Sequence, residues 1–229
     1  MGGRAGGGAS GGMGSRSRGS SFEANVMVQN ANGGMGSASR SRFASIPGIQ
    51  AIKDPQVRNE LIQTLEDYDK EFGVRQTNII LESLSDYKGQ LVGGEARVTA
   101  GKTSEIALNS KLFDKSSKDV TKIISDAQKG GFMAQTNNPI RHILAHELAH
   151  ATWQPGHFTK GEGYKTKQLK NQVVGAYRKF LNDKSAKGWG AYAKSSYGEF
   201  FAEGVAKHMY GAKDKHTQAI VKIINDWKL

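Results

Sequence analysis

Asn138-Pro139-Ile140-Arg141-His142-Ile143-Leu144-Ala145-His146-Glu147-Leu148-Ala149-His150-Ala151-Thr152-Trp153 is the stretch from which the fold is best read. Asn138 suits an N-cap and Pro139 the first helical position, and Pro155-Gly156 is expected to stop the helix after Trp153. Ile140, Leu144, Leu148 and Ala151 recur at steps of four, four and three, which makes one apolar face. His146 and His150 lie four residues apart beside that face, so both imidazoles point the same way and can chelate one Zn²⁺. Glu147 follows the first histidine, where its carboxylate can reach a water at the metal and serve as a general base. The pattern His-Glu-x-x-His inside a helix is the core expected of a zinc peptidase. The competing reading is an amphipathic helix with two polar surface or core histidines.

A catalytic zinc site takes three protein ligands and leaves a position open, so a third ligand is sought downstream. His157 lies seven residues after His150. The extended histidine motif needs a glycine three residues on and a histidine six on, but Trp153 and Gly156 stand there. The segment Tyr197 to Tyr210 reads as a second helix closed by Gly211, with Phe200, Phe201, Val205 and Met209 apolar and Glu199 and Glu203 sharing its polar side. Two carboxylates at this spacing repel on an exposed helix, and a cation near them would explain their placement. An ordinary solvated face is the alternative.

His146-Glu147-Leu148-Ala149-His150-Ala151, the run Glu199-Phe200-Phe201-Ala202-Glu203, and Tyr192 seven residues before Glu199 together resemble the gluzincin-like zinc metallopeptidases of the anthrax lethal factor type. Similar peptidase-like domains occur in phage head proteins. The shared stretch covers roughly residues 138 to 210. The resemblance implies His146, His150 and Glu199 as zinc ligands, Glu147 as general base, Tyr192 as the oxyanion stabiliser and Glu203 as a carboxylate that orients a ligand histidine. Tyr197 is a rival to Tyr192, because spacing alone selects between them. It further implies a zincin-like fold, in which an edge strand above the metal pairs with an extended protein or peptide substrate. Ser104 to Asn109 is the expected edge strand.

Around this core the chain reads as α+β: a small mixed sheet in the amino half, the active-site helix, and a helical carboxyl half. Asp54-Pro55 to Phe72 has helical spacing and ends at Gly73. Thr77 to Leu84, Gln90 to Val98 and Glu105 to Leu108 read as short strands, Lys118 to Gln128 as a helix, and Thr217 to Trp227 as a packing helix. His142, one turn before His146, is expected as a polar neighbour at the cleft wall, and His208 as a partner of a helix carboxyl end.

Of the 229 residues none is cysteine, which excludes disulfides and thiolate metal sites and leaves His and carboxylate as ligands. No run approaches a membrane span, and residues 1 to 21 lack the apolar core of a signal peptide. Residues 1 to 42 hold twelve glycines, five arginines and one acid, Glu23, so residues 1–48 are expected as a flexible arm and 49–229 as the metallopeptidase domain. Such an arm could order against a large assembly or contact nucleic acid backbone, and the resemblance to phage head proteins implies a tie to a phage capsid or portal assembly, which would make the chain a structural, head-associated component of a virion or a protein of the host cytoplasm. The net charge of +11 is spread over the arm, Lys160 to Lys187 and the carboxyl end, which favours weak polyanion contact over sequence-specific nucleic acid reading.

Overall fold

The computed structural model describes residues 25–29, 35–39, 41–74, 78–85, 92–99, 102–158 and 163–229. The chain divides into two compact units, Met1–Arg42 and Phe43–Leu229. In the first, β1 (Asn25–Gln29) pairs antiparallel with β2 (Met35–Ser39), where the composition led us to expect no regular structure. The second begins at Phe43, six residues before the expected boundary, because Phe43, Ile46 and Ile49 are all buried in its core.

The second unit is α+β. The short α1 (Pro47–Gln50) leads into α2 (Pro55–Glu71), which starts where Asp54 accepts hydrogen bonds from the amides of Gln56 and Val57. Val57, Leu61, Leu65 and Tyr68 then bury one face. The sheet follows: β3 (Ile79–Glu82), β4 (Gly94–Thr99) and β5 (Lys102–Asn109), in the order β3-β5-β4. β3 runs parallel to β5 and β4 antiparallel to it, so the sheet is mixed. The expected edge strand at Ser104 to Asn109 is therefore corrected: β5 has a partner on both sides, and its Ile106, Ala107 and Leu108 are fully buried. β4 is an edge strand in its place.

After α3 (Ser110–Phe113) and α4 (Ser117–Lys129), α5 (Pro139–Phe158) forms the axis of the unit and packs against α2, α4, β4, β5, α6 and α7. The Asn138 side chain accepts from Arg141 N–H at its start. Its end departs from expectation, since the helix runs through Pro155-Gly156. Pro155 forfeits its bond to the Ala151 carbonyl, and a proline inside a helix crowds that carbonyl at a cost of about 3 kcal/mol, so the continuation runs against local propensity.

The carboxyl half is helical: α6 (Gly163–Leu181), α7 (Tyr197–Tyr210) and α8 (Lys215–Trp227). α6 is a helix beyond those named from the sequence: its many lysines mask the apolar pattern, but Leu169, Val173 and Phe180 recur at helical spacing and are buried. Phe180, Trp189 and Phe200 stack with ring centroids 4.7 to 5.4 Å apart at the centre of this half. α7 and α8 meet at Gly204, where a β-carbon would lie 2.1 Å from Ile220 Cδ1 and 3.0 Å from the Trp189 ring, so a larger residue would require Ile220 to repack.

Candidate metal centre

Four-residue spacing on α5 brings His146 and His150 onto the side facing α7. Their Nε2 atoms are 3.1 Å apart. Glu199 reaches them from the first turn of α7, where Ser196 accepts a hydrogen bond from the Glu199 amide. Ser-x-x-Glu at a helix start ordinarily makes a reciprocal capping box, with the glutamate turned back on the cap. Here the carboxylate turns to the histidines instead: Glu199 Oε2 lies 3.1 Å from His146 Nε2 and 3.3 Å from His150 Nε2.

Three ligand atoms thus form a nearly equilateral triangle. An ion with 2.0–2.1 Å bonds in tetrahedral geometry spaces its ligands by about 3.3 Å. The triangle matches one face of such a tetrahedron and leaves the fourth position to another molecule. His150 Nδ1 is buried without a hydrogen-bond partner among the described residues.

Behind the triangle lies a second His/Glu group. Glu203, one turn after Glu199, is fully buried, with Oε1 3.0 Å from His142 Nε2 and 3.0 Å from His146 Nδ1, while Oε2 accepts from the Ala134 amide at 2.5 Å. The His146 contact lies off the direction of a good N–H···O bond, since Nδ1 has no formal partner. His142, His146 and Glu203 could themselves hold an ion. His142 and Glu203 are wholly buried, whereas Glu199 leaves the other group partly open to an outside molecule. Glu203 and His142 lie behind His146 as seen from the triangle. His142, expected at the cleft wall, is instead in the interior, since α7 covers that face of α5.

Charge in this cluster is strongly coupled. Burial would raise both glutamates, yet the hydrogen bonds of His146 and His150 hold Glu199 well below the usual carboxylate range. For Glu203 the opposition to burial comes mainly from His142, with the same result. Burial would lower His146, but Glu199 and Glu203 outweigh it and raise it well above the ordinary imidazole value.

Glu147 leaves α5 on a different side, beneath β4. Burial pushes its carboxyl upward, against the pull of His146 and His150 and a hydrogen bond from the Ala96 amide. Gly94 makes the approach possible: a β-carbon there would come within 2.8 Å of Glu147 Cγ. Gly94 and Ala96 are residues beside Glu147 that sequence reasoning missed. Adjacent glycines entering a strand were the available signal.

Tyr192 sits in a 3₁₀ turn before α7, sandwiched between Phe132 and His146 at centroid distances of 5.2 and 5.7 Å. Burial, together with the nearby carboxylates of Glu199, Glu147 and Glu203, pushes the pKa of its hydroxyl up, so the phenol stays neutral. Tyr197 lies elsewhere, edge-on to Trp153 with Lys170 over its ring. His208 ties α7 to the end of α2 through Glu71, at 2.5 Å. The side chain of His157 lies outside the described residues.

No protein-family model, no curated protein and no solved structure matches the chain.

Proposed function

We propose that this chain is a zinc-dependent endopeptidase of zincin-like architecture. The observation that carries the reading is the triangle of His146 Nε2, His150 Nε2 and Glu199 Oε2, with Glu147 on the same helix and Tyr192 stacked on His146. Nitrogen and carboxylate donors in threes, with an open fourth position, suit zinc better than the oxygen-rich shells of calcium or magnesium. Bound there, zinc would polarise a scissile carbonyl and make water more acidic.

The protein groups divide the remaining work. Glu147, buried and raised in pKa, takes the proton of the attacking water and passes it to the leaving amine. The neutral Tyr192 hydroxyl donates to the oxygen that gains negative charge. β4 offers an edge strand directly above Glu147, where an extended peptide can add to the sheet by backbone hydrogen bonds. Glu203 and His142 keep the His146 ring turned toward Glu199.

Two measurements on the purified protein test this. One zinc per chain is expected, lost in His146→Ala and Glu199→Ala. Zinc-dependent cleavage of an unfolded generic substrate such as casein is expected, and Glu147→Gln abolishes it while keeping the metal. Full metal occupancy with no turnover of any unfolded substrate would overturn the peptidase reading.

A further inference from the structure

The charge of the chain is not evenly placed. Residues 43–162 carry fourteen Lys/Arg against fifteen Asp/Glu, whereas residues 163–229 carry thirteen against five. All five of those acids are committed within the fold. Asp183 holds Lys215 and His216, Asp226 holds Lys222, and Asp214 caps α8 and accepts from Trp189. Glu199 and Glu203 face the histidines. Lys167, Arg178 and Lys179 on α6, and Lys184 and Lys187 in the segment after it, are exposed and have no ion-pair partner among the described residues.

α6 arranges its share on one side. Leu169, Val173 and Phe180 face inward. Lys167, Asn171, Gly175 and Arg178, at steps of four, four and three, lie on the opposite face, with Lys179 on its flank. Gly175 is unexplained by packing, since a β-carbon there would meet nothing within 4 Å. A helix-interior glycine is a poorer choice than alanine unless something must come close to the backbone.

We propose that the outer face of α6, with the segment that follows it, binds the phosphate backbone of duplex nucleic acid without reading its sequence. From Lys167 to Arg178 the helix spans about 16 Å, over which duplex DNA presents roughly nine phosphates. Lysine predominates, as suits point-charge contact with phosphate; bidentate recognition of carboxylates on an acidic protein would call for arginine, and Arg178 alone supplies it. An anionic membrane would need apolar side chains to insert, and Leu181 is the sole large apolar residue exposed on α6 among the described residues. A single strand would need exposed aromatic platforms, but among the described residues the rings beside α6 are engaged: Tyr177 is partly buried with its hydroxyl donating to the Lys194 carbonyl, and the Trp227 indole donates to Gln172. The inference does not depend on the peptidase reading.

The test measures binding of the full chain to a labelled random-sequence DNA duplex by fluorescence anisotropy across a KCl series. The triple variant Lys167→Gln, Arg178→Gln, Lys179→Gln is expected to reduce the slope of log K against log [KCl] by about 2.7, three contacts at about 0.9 each. Lys115→Gln, Lys118→Gln, Lys129→Gln, which removes the same charge from the other half, should leave the slope near wild type. Lys167→Arg with Lys179→Arg should retain binding, and so should Glu147→Gln. Equal loss in both triple variants would overturn the proposal, since net charge alone would then explain binding. Polyglutamate or phosphatidylserine vesicles bound as tightly as the duplex, or no duplex binding at low salt, would overturn it as well.

Discussion

Gly94 on β4 and Glu147 on α5 are in such close contact that one added methyl group at Gly94 would come within 2.8 Å of Glu147 Cγ. This contact sets where the Glu147 carboxylate can sit. Gly94→Ala should therefore displace it by a fraction of an ångström to an ångström and reduce kcat by about tenfold to a hundredfold, since misplacement on that scale is costly to catalysis. Zinc content should remain one per chain, because none of the three ligand atoms is touched. Kinetics paired with metal analysis checks this expectation of the proposed peptidase, and a Gly94→Ala variant with wild-type kcat would refute it.

Glu203 is the buried carboxylate behind His146, held in turn by His142 and the Ala134 amide. Glu203→Gln removes its charge but not its bulk. Partners behind a ligand histidine are typically worth 10- to 100-fold in metal affinity, and a weakening of about that size is expected in a chelator competition assay. Unchanged affinity would mean that the carboxylate serves packing alone.

Tyr192→Phe keeps the stack between Phe132 and His146 and removes only the hydroxyl. If that hydroxyl stabilises the developing oxyanion, kcat should fall by about 10² to 10³ with KM and zinc affinity little changed. Tyr197→Phe, remote from the ligands against Trp153, should leave kcat alone. The opposite ranking of the two variants would transfer the role to Tyr197.

The His146 pKa is raised well above the ordinary imidazole value by Glu199 and Glu203, against the effect of burial. In the metal-free protein the ring therefore holds a proton at neutral pH, which a metal must displace from Nε2. Zinc affinity should climb by up to about tenfold per pH unit as pH rises toward that raised value, then level off. Titration calorimetry at pH 7 in buffers of different ionisation enthalpy should report about one proton released per zinc. The metal-free fold has the complementary dependence. Glu199 and Glu203 are depressed, so their stabilisation is present above the ordinary glutamate pKa and is lost as pH falls through their folded values. The raised His146 contributes below its unfolded value and ceases to as pH passes its folded one. Thermal unfolding of zinc-free protein should therefore show its midpoint falling below about pH 4.5, as the glutamates protonate, and also declining above about pH 6.5 as the His146 contribution fades.

Local periodicity carried a large part of this structure. The bounds of α7, the existence of α2 and the facing pair His146 and His150 were legible, because each depends on residues within a few turns of one another. Glu199 and Glu203 were legible as a pair at helical spacing. Their difference was not, since Glu203 is wholly buried and Glu199 partly open only because α7 crosses α5 at that point.

By itself, then, the sequence determined which side chains share a helix face, and hence that two imidazoles and a carboxylate could converge. Strand order, the placing of β4 rather than β5 at the edge, the burial of His142 and the contact of Gly94 with Glu147 were decided by tertiary structure alone. Those depend on pairings between segments tens of residues apart, where many registers satisfy the same local pattern and only packing of the whole core selects among them.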